Sequence, residues 1–455
     1  MKIITTLNQI TYSMNRTLKI FLVFAIAIII TCNRSNAQYT FYYDIYKHWS
    51  QELETLAAKG NDAMAIVSLG SCYDRADGVA RNTSKAFVLF KKAANLGDIL
   101  ALYNLGFYYY KGIATKIDYA EAEKNFLKAI EKQSDFMPAY QCLAHIYENG
   151  GYGININYSK AFQMYSKASE LGDPISTFNI GSYYKRGLVT GKPDFVKSLE
   201  YFFKVKEYWE ANIKPAGLVT HQIANCYLNG DKIDLEKAIS YSNEAIDLGY
   251  FESYLNLATA YNLKGDFKKS YQALLSGYEK GIMSVCNNLG DAYYNGIGTD
   301  QSYEKAYDIF KKGAETNPIC KFRQSEMLRK GKGVAKNYEM AYKLLEECAA
   351  SGCGIAQYRL GCDLYEGTLV HQNYARAVEL FKQALHGEYM INDEIKSDIC
   401  RRLAICYRFG KGVEVNGKQA NEYNRMSATF GKSNAAKHDD NYQKNSYITH
   451  KNKKD

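Results

Sequence analysis

Ala65-Ile-Val-Ser-Leu69-Gly70-Ser-Cys-Tyr73, a glycine-bearing turn, and then Lys85-Ala86-Phe-Val-Leu-Phe90-Lys-Lys-Ala93-Ala94-Asn-Leu-Gly97-Asp98 form the stretch that decides the fold. Its Leu-Gly pair recurs, in places as Leu-Ala or Ile-Ala, at Leu69, Leu105, Leu143, Ile180, Ile223, Leu257, Leu289, Leu360 and Leu403, with Ser325-Glu326 in the eighth slot. The spacing is roughly three dozen residues, and a period between about 20 and 50 marks stacked units that each pack only on their neighbours. One repeat array therefore replaces the several domains that 455 residues would otherwise suggest.

Each unit carries two helical patterns. Ala65, Leu69 and Tyr73, like Ala101, Leu105 and Tyr109, lie at i, i+4 and i+8 and share one face of a first helix. On the second helix Ala86, Phe90 and Ala93 do the same, as do Ala122, Phe126, Ala129 and Ala377, Phe381, Ala384. Small residues let two helices approach while one ring fills the gap. Four residues before each Ala86 slot stand Asn82, Asp118, Asn157, Asp194, Asp234, Asp266, Ser302, Asn337, Asn373 and Asn416. All are N-cap residues, whose side chains accept from amides that the first turn leaves unpaired. The tyrosines in the Tyr73 slot, Tyr109, Tyr184, Tyr261, Tyr293 and Tyr407, are assigned to the core. Pro138, Pro174, Pro193 and Pro318 fall between helical patterns, and Pro215 lies in an insertion.

Residues 38–62 read as a capping helix, with Trp49, Leu53 and Ala57 ahead of Gly60; the array occupies 63–431, and the polar, aromatic-poor segment 432–455 is expected to be disordered. Two repeats are stretched, around Tyr208–Pro215 and Gly387–Asn392, either by lengthening a second helix, the favoured reading, or by adding loops on a binding side. The N-terminus reads as an export signal: Arg16 and Lys19 precede the apolar run Ile20–Ile30, and Ser35-Asn36-Ala37 suits cleavage before Gln38. Met14 is a candidate start. Lipid attachment at Cys32 is disfavoured because Thr31 replaces a smaller residue, and the apolar run is too short to span a bilayer. A periplasmic or extracellular location is expected, with no membrane span in the mature chain.

The net charge of +9 does not describe the array, because four cations sit in residues 1–37 and the tail holds six lysines against three aspartates. No basic footprint for nucleic acid remains. The eleven cysteines do not recur within each repeat, so buried thiols are the default, with bridges among Cys348, Cys353 and Cys362 left open.

The combined pattern, Ala-x-x-x-Leu-Gly-x-x-Tyr, a glycine loop, Asp or Asn, Lys-Ala, an aromatic and Lys-Ala-Ala-x-x-Gly, resembles the Sel-one-like (SLR) repeat family, a relative of the tetratricopeptide repeats. Ala65–Gly97 and Val285–Ala314 match closely. The resemblance implies an all-α fold, a right-handed α/α superhelical solenoid of about ten helix-turn-helix repeats, and an adaptor or scaffold role in protein complexes; some bacterial members are exported. Ile223–Ile246 and Leu257–Leu275 depart toward a plain tetratricopeptide unit. A cysteine-rich branch is linked to penicillin binding or β-lactam hydrolysis, and the irregular cysteines here withhold support from it.

No motif points to a cofactor or a metal. Gly296-Ile-Gly298, Gly331-Lys-Gly333 and Gly410-Lys-Gly412 lack the strand that a phosphate loop needs and read as left-handed turns after a first helix. Cys348, Cys353, Cys362 and His371 lack the paired spacing of structural zinc. The conspicuous excess is 41 tyrosines. Phe107, Tyr110, Tyr294 and Tyr365 fall off the core face of first helices, which line the concave wall of such arrays; rigid rings there suit a peptide anchor, the competing reading being rings without a ligand. The expectation is a monomeric, non-enzymatic, exported scaffold that binds a protein or peptide, with a cell-wall or β-lactam hydrolase and a glycan binder as the alternatives.

Overall fold

The computed structural model describes residues 48–212, 216–368, 370–387 and 391–431. The expected signal segment, the tail and Pro215 lie outside them. Two compact bodies divide the chain, one ending at Lys237 and the other starting at Ala238. The first holds α1 (Gln51–Lys59), the pairs α2/α3 (Ala63–Arg75, Thr83–Asn95), α4/α5 (Ile99–Lys111, Tyr119–Lys132), α6/α7 (Met137–Asn149, Tyr158–Glu170) and α8/α9 (Pro174–Arg186, Phe195–Asn212), then α10 (Ala216–Asn229). The division falls inside α11 (Leu235–Asp247). The second body continues with α12/α13 (Ser253–Lys264, Phe267–Glu279), α14/α15 (Cys286–Asn295, Tyr303–Gly313), α16/α17 (Pro318–Lys330, Tyr338–Ala350), α18/α19 (Gly354–Glu366, Tyr374–His386), α20 (Asp393–Phe409) and α21 at residues 417–431. Among the described residues the regular structure is helical, apart from one isolated bridge between Gly151 and Ile154.

All ten expected N-caps form. Asn82, Asp118, Asn157, Asp266, Ser302, Asn337 and Asn373 each accept from the amide three residues on. Asp194, Asp234 and Asn416 do the same at 3.0 Å. A cap of this kind contributes about 1 kcal/mol, so the entry to every second helix is fixed locally. In six repeats the capped amide belongs to a lysine, and its ammonium folds back over the first-helix tyrosine: Lys85, Lys160, Lys197, Lys237, Lys269 and Lys305 stand 4.9 to 5.5 Å from the rings of Tyr73, Tyr147, Tyr184, Tyr227, Tyr261 and Tyr293. One lysine thus joins the two helices of its repeat through backbone and side chain together.

The Leu-Gly pair works by close approach. An added Cβ at Gly70, Gly106 or Gly181 would stand 2.8 Å from the ring of Phe90, Phe126 or Phe202 on the paired second helix. Gly290 and Gly361 meet Phe310 and Phe381 in the same way. In the eighth repeat the caps Gly331 and Asn337 put Gln324-Ser325 in the slot and not the expected Ser325-Glu326: Ser325 is buried where the glycine stands elsewhere, Glu326 turns to Lys330 and Arg359, and the facing ring is replaced by Leu345.

Two expectations are corrected. Tyr73, Tyr293 and Tyr407 are buried as assigned, but Tyr109, Tyr184 and Tyr261 are only half-buried, and the preceding Tyr108 and Tyr183 are the rings that fill the core. A helix turns 100° per residue, so the position before the Tyr73 slot points between the helices while the slot itself sits on the flank under its lysine. The insertions also differ from each other. The first extends the second helix α9 to 18 residues, as favoured. After the second insertion, residues 388–390 of which lie outside the described set, it is the first helix α20 that grows, to 17 residues, with Asn392 accepting from the Ile395 amide at 2.9 Å.

Candidate functional site

Three of the four predicted rings occupy one recurring position, the last turn of a first helix, and each packs on the tyrosine that opens the following second helix. Centroid separations are 5.4 Å for Tyr110 and Tyr119, 5.1 Å for Tyr294 and Tyr303, and 5.3 Å for Tyr365 and Tyr374. All four predicted rings are half-buried.

In the second body a lysine from the next repeat completes the arrangement. Lys332 stands 4.8 and 4.7 Å from the rings of Tyr294 and Tyr303 and donates to the Tyr294 hydroxyl at 2.9 Å, while Lys411 stands 5.7 and 5.2 Å from Tyr365 and Tyr374. Both lysines sit between the glycines of a Gly-Lys-Gly turn. Gly331 and Gly410 end their helices in the left-handed region, as expected. The second glycine does something spacing did not reveal: a Cβ at Gly333 or Gly412 would run into the backbone of Tyr303 or Tyr374. Glycine there lets the turn rest on the preceding second helix, and Tyr294 and Tyr365 are held inside that junction.

Phe107 and Tyr110 have a different setting. On α4, Tyr103, Phe107 and Tyr110 lie at i, i+4 and i+7, with centroids 6.2 Å apart at each step, and the run continues through Tyr119 to Tyr152 at 5.1 Å. Lys111 stands 4.3 Å from the Tyr110 ring and 5.8 Å from Phe107. Beside this strip, on the next first helix, Glu148 accepts from the Tyr165 hydroxyl at 2.7 Å, and His145 lies 3.3 Å from the same hydroxyl. Burial holds the His145 imidazole below its ordinary value, against the opposing charge of Glu148 and with help from Lys111, so it is neutral at pH 7. Burial, then the neighbouring Cys142, Tyr119 and Glu148, pushes the Tyr110 phenol up. On α8, burial lowers Lys185, whose ammonium donates to Gln222. The aromatic strip on α4 is therefore flanked by Lys111 and by Glu148 of α6, an arrangement suited to holding a ligand with both apolar and polar groups.

A second concavity of about 530 Å³ lies among α7, α8 and α9, lined in part by Phe162, Glu170, Tyr184, Tyr201, Lys204 and Tyr208. Tyr184 stacks on Tyr201 at 5.6 Å, and Lys204 stands 5.0 Å from the Tyr201 ring. Motif reading missed Tyr201, Lys204 and Tyr208; the stretched repeat was the available signal, since Tyr208 lies in the added length of α9.

With the helix pairs and the wall described, the class is an α/α repeat protein. The Sel1 repeat family matches residues 63–98, 99–134, 143–173, 174–204, 220–250, 284–317, 322–353, 354–387 and 397–429, and the chain belongs to that family. Residues 220–250, expected to approach a plain tetratricopeptide unit, match, whereas the α12/α13 pair lies outside the matched segments although it folds as a helix pair. An uncharacterized Sel1-like repeat protein of Schizosaccharomyces pombe is 22% identical over 69% of this chain and 48% of its own length. A component of an ERAD-associated E3 ubiquitin-protein ligase of Arabidopsis thaliana is 23% identical over 58% of this chain and 50% of its length. The chain thus spans about half the length of these two relatives. Among solved structures, a protective antigen of uropathogenic Escherichia coli with an SLR fold aligns with a TM-score of 0.49 at 24% identity, covering 84% of this chain and 81% of the antigen. Sel1 repeats mediate protein interactions and generally serve as scaffolds.

Proposed function

We propose that this chain is an exported, non-enzymatic adaptor that holds a protein or peptide segment along the first helices α4, α6 and α8. The observation carrying this reading is the half-buried strip Tyr103–Phe107–Tyr110 with Lys111 and Glu148 at its edge. Rigid rings anchor a partner at small entropic cost, and the flanking charges set its register. Scaffold behaviour is general in the family, and the Arabidopsis relative is named as a component of a larger enzyme assembly. Export rests on Arg16, Lys19, the run Ile20–Ile30 and Ser35-Asn36-Ala37, and places the array in the periplasm or outside the cell.

Proximity labelling in the native cell, from a fusion at the C-terminus, tests the reading. Enrichment of one envelope protein by the wild type, and its loss in a folded Phe107→Ala/Tyr110→Ala double variant, is the expected result. Equal enrichment by both would remove the α4 wall. Hydrolysis of a chromogenic β-lactam, lost on changing one named residue, would instead revive the hydrolase alternative.

A further inference from the structure

At five described junctions the end of a second helix meets the next first helix through a six-residue turn closed by a backbone hydrogen bond, and one copy of that turn is chemically different. The amide of Asp98 reaches the Ala93 carbonyl at 3.2 Å, Asp173 reaches Ala168 at 3.0 Å, Tyr250 reaches Ala245 at 2.8 Å and Ile282 reaches Gly277 at 2.9 Å. In the same two positions between α17 and α18 stand two cysteines, with the Cys353 amide 3.3 Å from the Cys348 carbonyl. Elsewhere the first position is small, and at Asp98 and Asp173 the second caps the next helix, accepting from Ala101 and Ser176 at 2.8 Å. Cys353 heads α18 without such a side-chain cap bond. Tyr250 and Ile282 supply no capping oxygen either, so what sets this turn apart is its pair of sulfurs: of the five it is the one with cysteine at both positions.

We propose that Cys348 and Cys353 form a redox-modification site, oxidised by a low-molecular-weight disulfide to an intramolecular bridge that staples the end of α17 to the head of α18. The Cys353 thiolate attacks one sulfur of the reagent disulfide, giving a mixed disulfide and releasing one thiolate, which takes up a proton. Cys348 then loses its proton to solvent, and its sulfur attacks the Cys353 sulfur, expelling the second reagent thiol. Two protein thiols lose two electrons and two protons, and the reagent disulfide becomes two thiols.

Geometry and electrostatics agree on the order of attack. The neighbouring Cys348 side chain does most to favour the Cys353 thiolate; burial opposes this, the Ala356 and Ile355 amides at the head of α18 add to it, and the Cys353 thiol is pulled down to about 6. Cys348 is pushed up correspondingly, and its sulfur also lies 3.1 Å from the Pro318 carbonyl. Both cysteines and the intervening Ala349 are buried, but Ala350, Ser351 and Gly352 between them are exposed, so opening this one turn admits the reagent. Backbones already joined across the turn need little rearrangement to close the bridge.

Trypsin releases both cysteines in one peptide, Leu344–Arg359, which holds no others. The native full chain is incubated with excess oxidised glutathione, denatured in acid, treated with a maleimide and digested. The expected product is this peptide carrying no maleimide and lighter than the dithiol by two hydrogens, with full labelling restored by reductant. Cys348→Ala, which installs the residue of Ala93, Ala168 and Ala245, is expected to trap glutathione on Cys353. Two maleimides on the wild-type peptide throughout would overturn the proposal, as would glutathione on both cysteines without a bridge. Cys353→Asp, which restores the residue of Asp98 and Asp173, keeps the turn and is expected to abolish the bridge; a wild-type bridge that forms only after denaturation would also defeat it.

Discussion

The first helices of the two bodies reach their neighbours by different chemistry. In the first body tyrosine meets carboxylate: Tyr108 reaches Asp74 on the neighbouring first helix at 2.7 Å, while Tyr73 reaches Glu54 on α1 at 3.4 Å and Tyr147 reaches Glu123 on the second helix α5. In the last repeats of the second body the bonds run mostly from arginine to carboxylate. Arg323 meets Asp291 at 3.3 Å, Arg359 meets Glu326 at 3.2 Å, Arg402 meets Glu366 at 3.0 Å, and Arg329 takes both oxygens of Asp363 at 3.0 Å. Asp363 occupies the core position that Tyr108 and Tyr183 fill in the first body, and it is 2% exposed. The helix pair therefore dictates which positions meet, and the sequence is free to fill them with rings or ions. Rings leave an aromatic wall available for a partner, whereas paired ions spend their groups on one another.

Asp363→Ala is expected to have the largest effect. It strands the mostly buried Arg329 without its bidentate partner, and a loss of about 3 kcal/mol follows from breaking such a pair. Urea unfolding followed by circular dichroism reads it, and replacing both residues by apolar ones of similar size should recover most of the loss. A change too small to shift the midpoint would show that the ions are ornamental.

Tyr108→Phe is the matched change in the first body, and it removes one hydrogen bond to a partner that still reaches water. The expected loss is about 1 kcal/mol. Trp49 and Trp209 are the chain's two tryptophans and both lie in the first body, so fluorescence follows that body separately. A loss matching that of Asp363→Ala would erase the contrast.

Acid should separate the bodies more gently. His145 is held below its ordinary value in the fold, so near pH 6.5 the unfolded chain takes a proton that the folded chain refuses, and the first body weakens as pH drops below about 6.5. Burial raises Glu326, but the Lys330 hydrogen bond and the charges of Arg359, Lys330 and Arg329 outweigh it, leaving the carboxyl below its usual range. Its contribution is present above about pH 4.3 and is lost as pH falls through the lower folded value. The tryptophan signal should therefore lose stability at a higher pH than the ellipticity, and His145→Gln should narrow the gap.

Much of the fold was legible because its determinants are local. N-caps act over three residues and the Ala, Phe and Gly slots over one helix pair, so Asn82, Phe90 and Gly70 declare themselves in one stretch. At the candidate site the ring positions were legible and their partners were not. Spacing placed Phe107, Tyr110, Tyr294 and Tyr365 on the flanks of first helices, where all four are half-buried, but it did not show that the lysines over Tyr294 and Tyr365 come from the next repeat. Those partners sit one period away: Lys332 is 38 residues from Tyr294, Asp363 is 34 from Arg329, and Asp74 is 34 from Tyr108. Reading opposite charges one period apart would have found the ionic junctions. The choice between Tyr108 and Tyr109 was beyond such reading, because adjacent tyrosines satisfy the same pattern and only packing separates them.

Photo-crosslinking from a benzoyl-phenylalanine placed at position 107 in native cells, with position 201 beside the cleft on α9 as the comparison, addresses the aromatic wall itself. The account predicts a discrete polypeptide adduct from 107 and none of the same mass from 201. An adduct from 201 alone, or none from 107 in a protein shown to be exported and folded, would contradict it.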